Sequence, residues 1–498
     1  MSSDNFFQSL ARVFKAAPDA PFLTIPGGKR WTFAEIDTLS AKIAGAFRSA
    51  GAKPGDRIAV QVEKSAENVA LYLASLRGGF AYLPLNTAYT AAELSYFLGD
   101  AEPAIFIADP VREKPTNVKT LTLGANGEGS LIAAAKAAEP FHDFEPRAAD
   151  DLAAILYTSG TTGRSKGAML THRNLSSNAE TLRKLWGFRQ GDVLLHALPI
   201  FHIHGLFVAL NVAMLNGSEV IFLPKFDVAV MRREMKRASV MMGVPTFYTR
   251  LLAEKEFSRA DCTAMRLFIS GSAPLTVETF NAFEKRAGMR ILERYGMSEA
   301  GMIASNPLDG ERIAGTVGYP LPGVGIRIAK IGETLAANEA GTVEVRGPNV
   351  FKGYWRMPEK TAEEFREGGW FSTGDIGSIA EDGRLTLSGR AKDLIIVGGY
   401  NVYPKEVEEI LDALPGVAES AVIGAPHEDM GEGVVAIVVA AAGANPTEEE
   451  LKIAVQDLAR FKQPREYFFA SALPRNAMGK VQKSALRETY KNAFQTRE

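Results

Sequence analysis

A chain of 498 residues is longer than one hydrophobic core supports. Its 46% hydrophobic and 23% charged residues, without a long unbroken apolar run, argue against both a disordered chain and a bundle of membrane spans. The 56 basic and 58 acidic residues nearly cancel, to a net charge of −2, so no bulk field gathers nucleic acid. One cysteine, Cys262, and six histidines, of which only His202 and His204 sit close together, argue against an internal disulfide or a zinc cage. What remains is a multidomain protein acting on a small molecule, with any metal a hard ion held by few carboxylates. The opening "MSSDNFFQSLARVFK" has no basic-then-apolar leader, so a cytoplasmic protein is expected.

From Arg57 the text reads as strand ("RIAVQV"), a helix capped by Ser65 ("SAENVALYLASLR"), a Gly78-Gly79 stop and a second strand ("FAYLPL"). Thr90 and Glu93 have capping-box spacing at the head of "TAAELSYFLGD", and "AIFIAD" follows as a strand. The runs "SEVIFL", "SVMMGV" and "MRLFISG" continue this alternation, which predicts α/β layers with largely parallel sheets. After about Thr334 the texture changes. "GTVEVRGPNVFKGYW" and "GRLTLSGRAKDLIIV" read as short strands joined by glycine turns. The helix "EVEEILDAL", the strands "SAVIGA" and "EGVVAIVVA", a helix from near Thr447 and the strand "REYFFA" then make a small α+β domain. The fold class expected is therefore α/β: a large N-terminal domain of layered α/β sheets with a β-rich subdomain, residues 1–389, and a small C-terminal domain, residues 394–498. "GRAKD" contains the joint, 390–393.

The stretch "YTSGTTGRSKGAML" places hydroxyls and glycines behind the apolar strand "LAAILY". Backbone N–H groups near Gly160 and Gly163 can form an anion-binding concavity, the hydroxyls of Thr158, Ser159, Thr161 and Thr162 add donors, and Lys166 supplies a point charge. The spacing is not that of a Walker loop. Composition and placement favour phosphate binding over a plain surface turn.

The same string resembles the phosphate loop of the adenylate-forming enzymes: acyl-CoA synthetases, luciferases and peptide-synthetase adenylation domains. "PIFHIHGL", "ISGSAPL", "ERYGMSEAG", "GTVGYPLPG", "FSTGD", "GRAKDLIIVGGYNVYP" and "PRNAMGKVQK" resemble that family in order across nearly the whole chain. The resemblance implies ATP, Mg²⁺ and coenzyme A as reactants and cofactors, with Glu299 as the Mg²⁺ ligand and Ser298 beside it donating to phosphate. Asp375 and Arg390 would hold the ribose or a phosphate, and Gly271, Ser272 and Ala273 with Tyr295 and Gly296 would pack against adenine. Thr158 and Glu299 would act in catalysis with Lys480, which stabilises the charge growing at the five-coordinate phosphorus. Without the family, Glu299 reads as a solvated helix-start glutamate, Asp375 as a turn cap, Arg390 as a surface ion pair and Lys480 as an exposed tail lysine.

The tail carrying Lys480 lies beyond the joint, so the small domain is expected to be mobile, turning about Lys392 and bringing Gly398, Gly399 and Tyr400 toward the thiol acceptor. Acylation of Lys480 by a lysine-modifying enzyme would remove the charge that adenylation uses.

Within the family, "LPIFHIHGL", "MGVPTFYTRLL", "LFISGSAPL", "SNPLDGERIAGTVG" and "RGPNVFKGYW" resemble malonyl-CoA synthetases. A diacid needs a cation for its unreacting carboxylate, and this resemblance implies Arg250 and Arg294, aided by Ser270 and His204, with His202 lining the same pocket. The bland alternatives are a helix-surface Arg250, an Arg294–Glu293 ion pair and a core histidine at 202. "GMSEAGM" departs from the "GMTETNM" of that group: Ala300 and Gly301 leave a roomier pocket, which keeps methylmalonate open. Rival readings are a short monocarboxylate ligase, an enzyme loading a carrier protein, and a catalytically idle nucleotide-binding module.

Overall fold

A computed structural model describes residues 4–112, 117–158, 165–330, 332–476 and 479–495. Two sheets share one hydrophobic core in the large domain. In the first, the strands Thr120–Thr122, Ile105–Ala108, Arg57–Gln61, Ala81–Pro84 and Leu152–Thr158 run parallel, and Lys166–Thr171 turns back antiparallel on the last of them. The helices between them start as the sequence requires. Ser65 accepts the Asn68 N–H at 3.1 Å, and Thr90 and Glu93 close a capping box, a device that typically stabilises a helix by about 1 kcal/mol.

The second sheet carries the parallel strands Glu219–Phe222, Val193–His196, Val240–Gly243, Leu267–Ser270 and Leu292–Met297, in that spatial order. Their buried register aligns His196 with Met242, Met242 with Ile269, and Ile269 with Leu292, so these four side chains share a face. Such a parallel sheet binds ligands beyond the carboxyl ends of its strands, and Ser270, Arg294 and Tyr295 stand there. A π-helix, His204–Leu210, follows Val193–His196; nothing in the sequence reading anticipates it.

The β-rich part is antiparallel, with Gly325–Lys330, Gly341–Arg346, Trp370–Ile379 and Leu385–Arg390 as its long strands. Its last pair aligns Asp375 with Arg390. Beyond the turn Ala391–Asp393 the C-terminal sheet begins at Ile395–Val397 and packs two apolar clusters separate from the large core. Its long hairpin, Val417–His427 with Gly431–Ala440, is flanked by Pro404–Asp412, Glu448–Ala454 and Lys483–Thr489. Among the described residues no helix is long and apolar enough to cross a membrane.

Candidate active site

Asp375 is the centre of one cluster. Arg390 Nε lies 2.7 Å from its Oδ1, the Tyr295 hydroxyl donates to its Oδ2, and its own amide donates to Thr373 Oγ1 at 3.1 Å. Arg390 also donates to the Thr373 carbonyl at 3.0 Å. Asp375 therefore sits within a strand rather than capping a turn, and Arg390 is held by the very residue with which it was grouped. Burial, and next the Asp375 charge, hold the Tyr295 phenol well above its ordinary pKa.

Glu299 is the centre of a second cluster and is buried, not solvated. Its Oε1 accepts from Tyr354 at 3.2 Å and from Thr158 at 3.4 Å. Burial raises its carboxyl pKa, against its own backbone amide, Arg390, Tyr354 and Lys166, which lower it. Lys166 is also buried, 4.5 Å over the Tyr354 ring and 3.5 Å from Glu364. Tyr354 lies inside the quoted "RGPNVFKGYW" but carries no local sign of its role, because its partners are 55 and more residues away. Gly296 and Ser298 are half-buried on the same stretch as Glu299. Ser159, Gly160, Thr161, Thr162 and Gly163 lie outside the described residues.

Lys480 is brought to these clusters from the C-terminal domain. Burial first and Arg390 second lower its pKa, while Asp375 opposes them, so the ammonium lies within electrostatic reach of the first cluster. The side chain still meets solvent, as a cleft residue can. Gly479, with φ +74°, packs so close to the large domain that a Cβ there would come within 3.0 Å of Thr246 Oγ1. Lys405 ties the domains a second time, donating to the Leu387 carbonyl at 2.8 Å. Lys392 is exposed in the connecting turn, and Gly398, Gly399 and Tyr400 are exposed just beyond it.

A different environment surrounds Arg294. It is 3% exposed, its Nε and Nη2 have no hydrogen-bond partner, and burial pushes its pKa down to about 9. Its guanidinium lies flat on Gly271, where an added Cβ would approach Cζ to 2.4 Å. A side chain at that position would have to displace the guanidinium. The expected alternative, an ion pair with Glu293, does not form, because adjacent strand residues point to opposite faces. Glu293 instead accepts the Leu275 N–H at 3.1 Å, with Oε2 unpartnered and its pKa raised by burial to about 7. Tyr295, next along the strand, points back to Asp375.

His204 is fully buried: Nδ1 is 3.1 Å from Ser272 Oγ, and Nε2 has no partner. Burial, then the charge of Arg294, lowers its pKa well below the ordinary range, and takes that of half-buried His202 to about 4. Both imidazoles are therefore neutral at physiological pH. Ser270 is fully buried at the end of its strand with Oγ unpartnered, and Ala273 is half-buried two residues past Gly271. Arg250 is not in this buried group. It is exposed on the helix Pro245–Ala253, with its guanidinium 5.9 Å from the Phe226 ring centroid.

Known proteins resemble both parts of the chain. A family model described as AMP-binding enzyme matches residues 10–355, and one for the AMP-binding enzyme C-terminal domain matches 406–480. The crystal structure of ATP-bound MatB from Rhodopseudomonas palustris is 50% identical, covers 99% of this chain and 100% of its own, and matches with a TM-score of 0.96. The apo form of the same enzyme, with the same identity and coverage, matches at 0.84. Malonate–CoA ligase of Arabidopsis thaliana is 35% identical over 97% of this chain and 90% of its own length. A long-chain-fatty-acid–CoA ligase of Bacillus subtilis (strain 168) is also 35% identical, over 93% and 90%. With the nucleotide-side clusters, the appended lysine domain and matches of this extent in hand, the chain belongs to the AMP-binding enzyme family and is an adenylate-forming acyl-CoA ligase.

Proposed function

We propose that this protein joins malonate, or a substituted malonate such as methylmalonate, to coenzyme A at the expense of ATP. The observation that carries the diacid reading is Arg294: a buried guanidinium with two unpartnered N–H positions, in a region where Ser270 Oγ and His204 Nε2 also lack partners. Burying an unpaired cation is expensive, and a ligand carboxylate gripped at two points would remove the penalty. A monocarboxylate ligase has no use for such a group. The similarity to MatB and to a malonate–CoA ligase supports the same choice, whereas the equally identical fatty-acid ligase means that overall identity alone cannot make it. Arg250, exposed on its helix, would serve at the mouth of the pocket rather than at its floor.

In the first half-reaction a carboxylate oxygen of the acid attacks the α-phosphorus of ATP, and the bond to pyrophosphate breaks. Asp375 accepts from the ribose hydroxyls with Arg390 steadying it, and Tyr295 with the Gly271–Ala273 strip forms the wall for adenine. Lys166, Thr158 and the hydroxyl-rich loop of residues 159–163 receive the phosphates. Glu299 suits a divalent cation: among the described residues no cluster of three or more His, Cys, Asp or Glu competes with it, and a magnesium ion commonly takes one or two carboxylates with phosphates and water. Such an ion, when bound, neutralises phosphate charge. Lys480 meets the charge that grows at phosphorus and on the attacking oxygen.

In the second half-reaction the thiolate of coenzyme A attacks the acyl carbon and AMP leaves. The small domain, 394–498, turns about Lys392 in the 390–393 joint, withdraws Lys480 and presents Gly398, Gly399 and Tyr400. Support for this comes from the separate C-terminal cores, the exposed turn at Lys392 and the different agreement with ATP-bound and apo forms of one relative.

The test is AMP release with ATP and Mg²⁺ for malonate, methylmalonate, acetate and no acid, each with and without coenzyme A. Turnover that requires both a malonate-type diacid and coenzyme A supports the proposal. A preference for acetate sinks the role of Arg294.

A further inference from the structure

Between the two sheets of the large domain lies a half-buried lysine that the chemistry above does not use. Lys64, in the loop after Arg57–Gln61, places Nζ 2.8 Å from His196 Nδ1 and 3.1 Å from the His196 carbonyl, 4.3 Å over the Phe222 ring. Among the described residues it makes no ion pair. The other nitrogen of His196, Nε2, lies 2.9 Å from the Gly205 carbonyl. Gly205 is the second residue of the π-helix that begins with His204, and it is wedged so tightly that a Cβ would lie 2.1 Å from the Pro199 carbonyl oxygen.

We propose that Lys64 and His196 are positioning residues for the acid pocket: Lys64 fixes the tautomer of His196, and His196 in turn pins the Gly205 carbonyl and with it the turn that presents His204. This rests on the reading that His204 and Arg294 receive the diacid.

The proton positions follow from the partners. A carbonyl oxygen accepts only, so Nε2 facing Gly205 must carry the hydrogen, and Nδ1 of the neutral ring is left to accept from Lys64; burial pulls the Lys64 pKa well below its ordinary range, and amine and ammonium alike have a hydrogen to give. One tautomer satisfies both ends. The opposite tautomer would set the Nε2 lone pair against a carbonyl oxygen and leave two buried acceptors facing each other, an arrangement that costs the full desolvation of both. An imidazolium is disfavoured by burial and by the neighbouring Lys64 charge, both of which lower the His196 pKa. The chain of contacts then ends at the site. His196 shares its sheet face with Ile269 and Leu292, two residues before Arg294, and the charge of Arg294 acts on His204. An ammonium without a carboxylate is costly inside a protein, and an apolar side chain would fill the same space more cheaply. What the lysine adds is a single proton arrangement at His196. Shifts of about 1 Å in groups that orient a substrate can change rates by roughly a hundredfold, so such an arrangement has consequences for acid binding.

Two measurements on the full-length enzyme decide the matter. In wild-type protein carrying ¹⁵N-labelled histidine, NMR is expected to show His196 as the neutral Nε2–H form, and Lys64→Met is expected to lose that single tautomer. In steady-state assays with malonate and ATP, Lys64→Met and His196→Leu should raise the malonate KM on the order of tenfold while the ATP KM stays within about twofold. His196→Gln, whose amide oxygen can face Lys64 and whose amide N–H can reach Gly205, should return the malonate KM toward the wild-type value. An Nδ1–H or imidazolium His196 overturns the proposal, as does a parallel rise of both KM values. If wild-type enzyme refuses every diacid, the functional reading fails, and the NMR result still decides whether Lys64 sets the tautomer.

Discussion

The clusters around Asp375 and Glu299 and the buried group around Arg294 are built on opposite electrostatic plans. Around Asp375 and Glu299 the charges already have partners: Arg390, Tyr295 and Thr373 on one carboxylate side, Tyr354, Thr158 and the Lys166–Glu364 pair on the other. Around Arg294, two guanidinium nitrogens, Ser270 Oγ and His204 Nε2 are buried and without partners. A site that is self-satisfied before its ligand arrives loses stability when it is mutated. A site that holds an unpaired cation is strained until its ligand arrives, and gains stability when the cation is removed.

The largest effect lies at the residue both regions depend on. Lys480→Ala should cut ATP–pyrophosphate exchange by on the order of a thousandfold, while thioester formation from supplied acyl-adenylate continues. Quantitative acetylation of Lys480 should do the same. Equal loss in both half-reactions would make the residue structural and remove the link between the two regions.

Next, Arg294→Met should lower kcat/KM for malonate by roughly a hundredfold or more, leave the ATP KM in place and raise the melting temperature, because an unpaired buried charge is replaced by an apolar chain of similar length. Asp375→Asn should do the reverse, raising the ATP KM by on the order of tenfold and lowering the melting temperature, because Arg390 loses its ionic partner. If both variants shift stability in the same direction, the contrast between the two plans is wrong.

A smaller effect sharpens the comparison at its border. Burial raises the Glu293 carboxyl from its ordinary 4.5 to about 7, so the folded state holds that proton more tightly than the unfolded chain does. Stability attributable to this group is therefore lost as pH rises from about 4.5 through 7. Glu293→Gln, which keeps an acceptor for Leu275, should melt progressively higher than wild type as pH climbs through that window, by a few degrees at most. A difference that does not depend on pH would mean that Glu293 does not titrate there.

Much of this was legible in the sequence because it is local. Ser65, Thr90 with Glu93, and Thr447 cap helices through neighbours three residues away, and the strand texts lie where their periodicity puts them. The strings around Asp375, Arg390 and Glu299 are distinctive enough to single those positions out. What was not legible depends on distant packing. The Lys64–His196 contact spans 132 residues, and that between Tyr354 and Glu299 spans 55. The exposure of Arg250 against the burial of Arg294 follows from which helix face and which strand end each occupies. The π-helix at His204 has no composition signal, since an apolar run reads equally well as a strand or a helix segment.

The strand Leu292–Met297 separates the two regions with consecutive residues, Arg294 turned to one pocket and Tyr295 to the other. It is a partition one side chain thick. Because strand side chains alternate with a period of two, a single inserted or deleted codon before Arg294 would exchange the sides, pointing a phenol toward His204 and a guanidinium toward Asp375. Both pockets would fail from one lesion. Under the proposed function, substitutions here would retune one reactant at a time, whereas a change in length would abolish recognition of both.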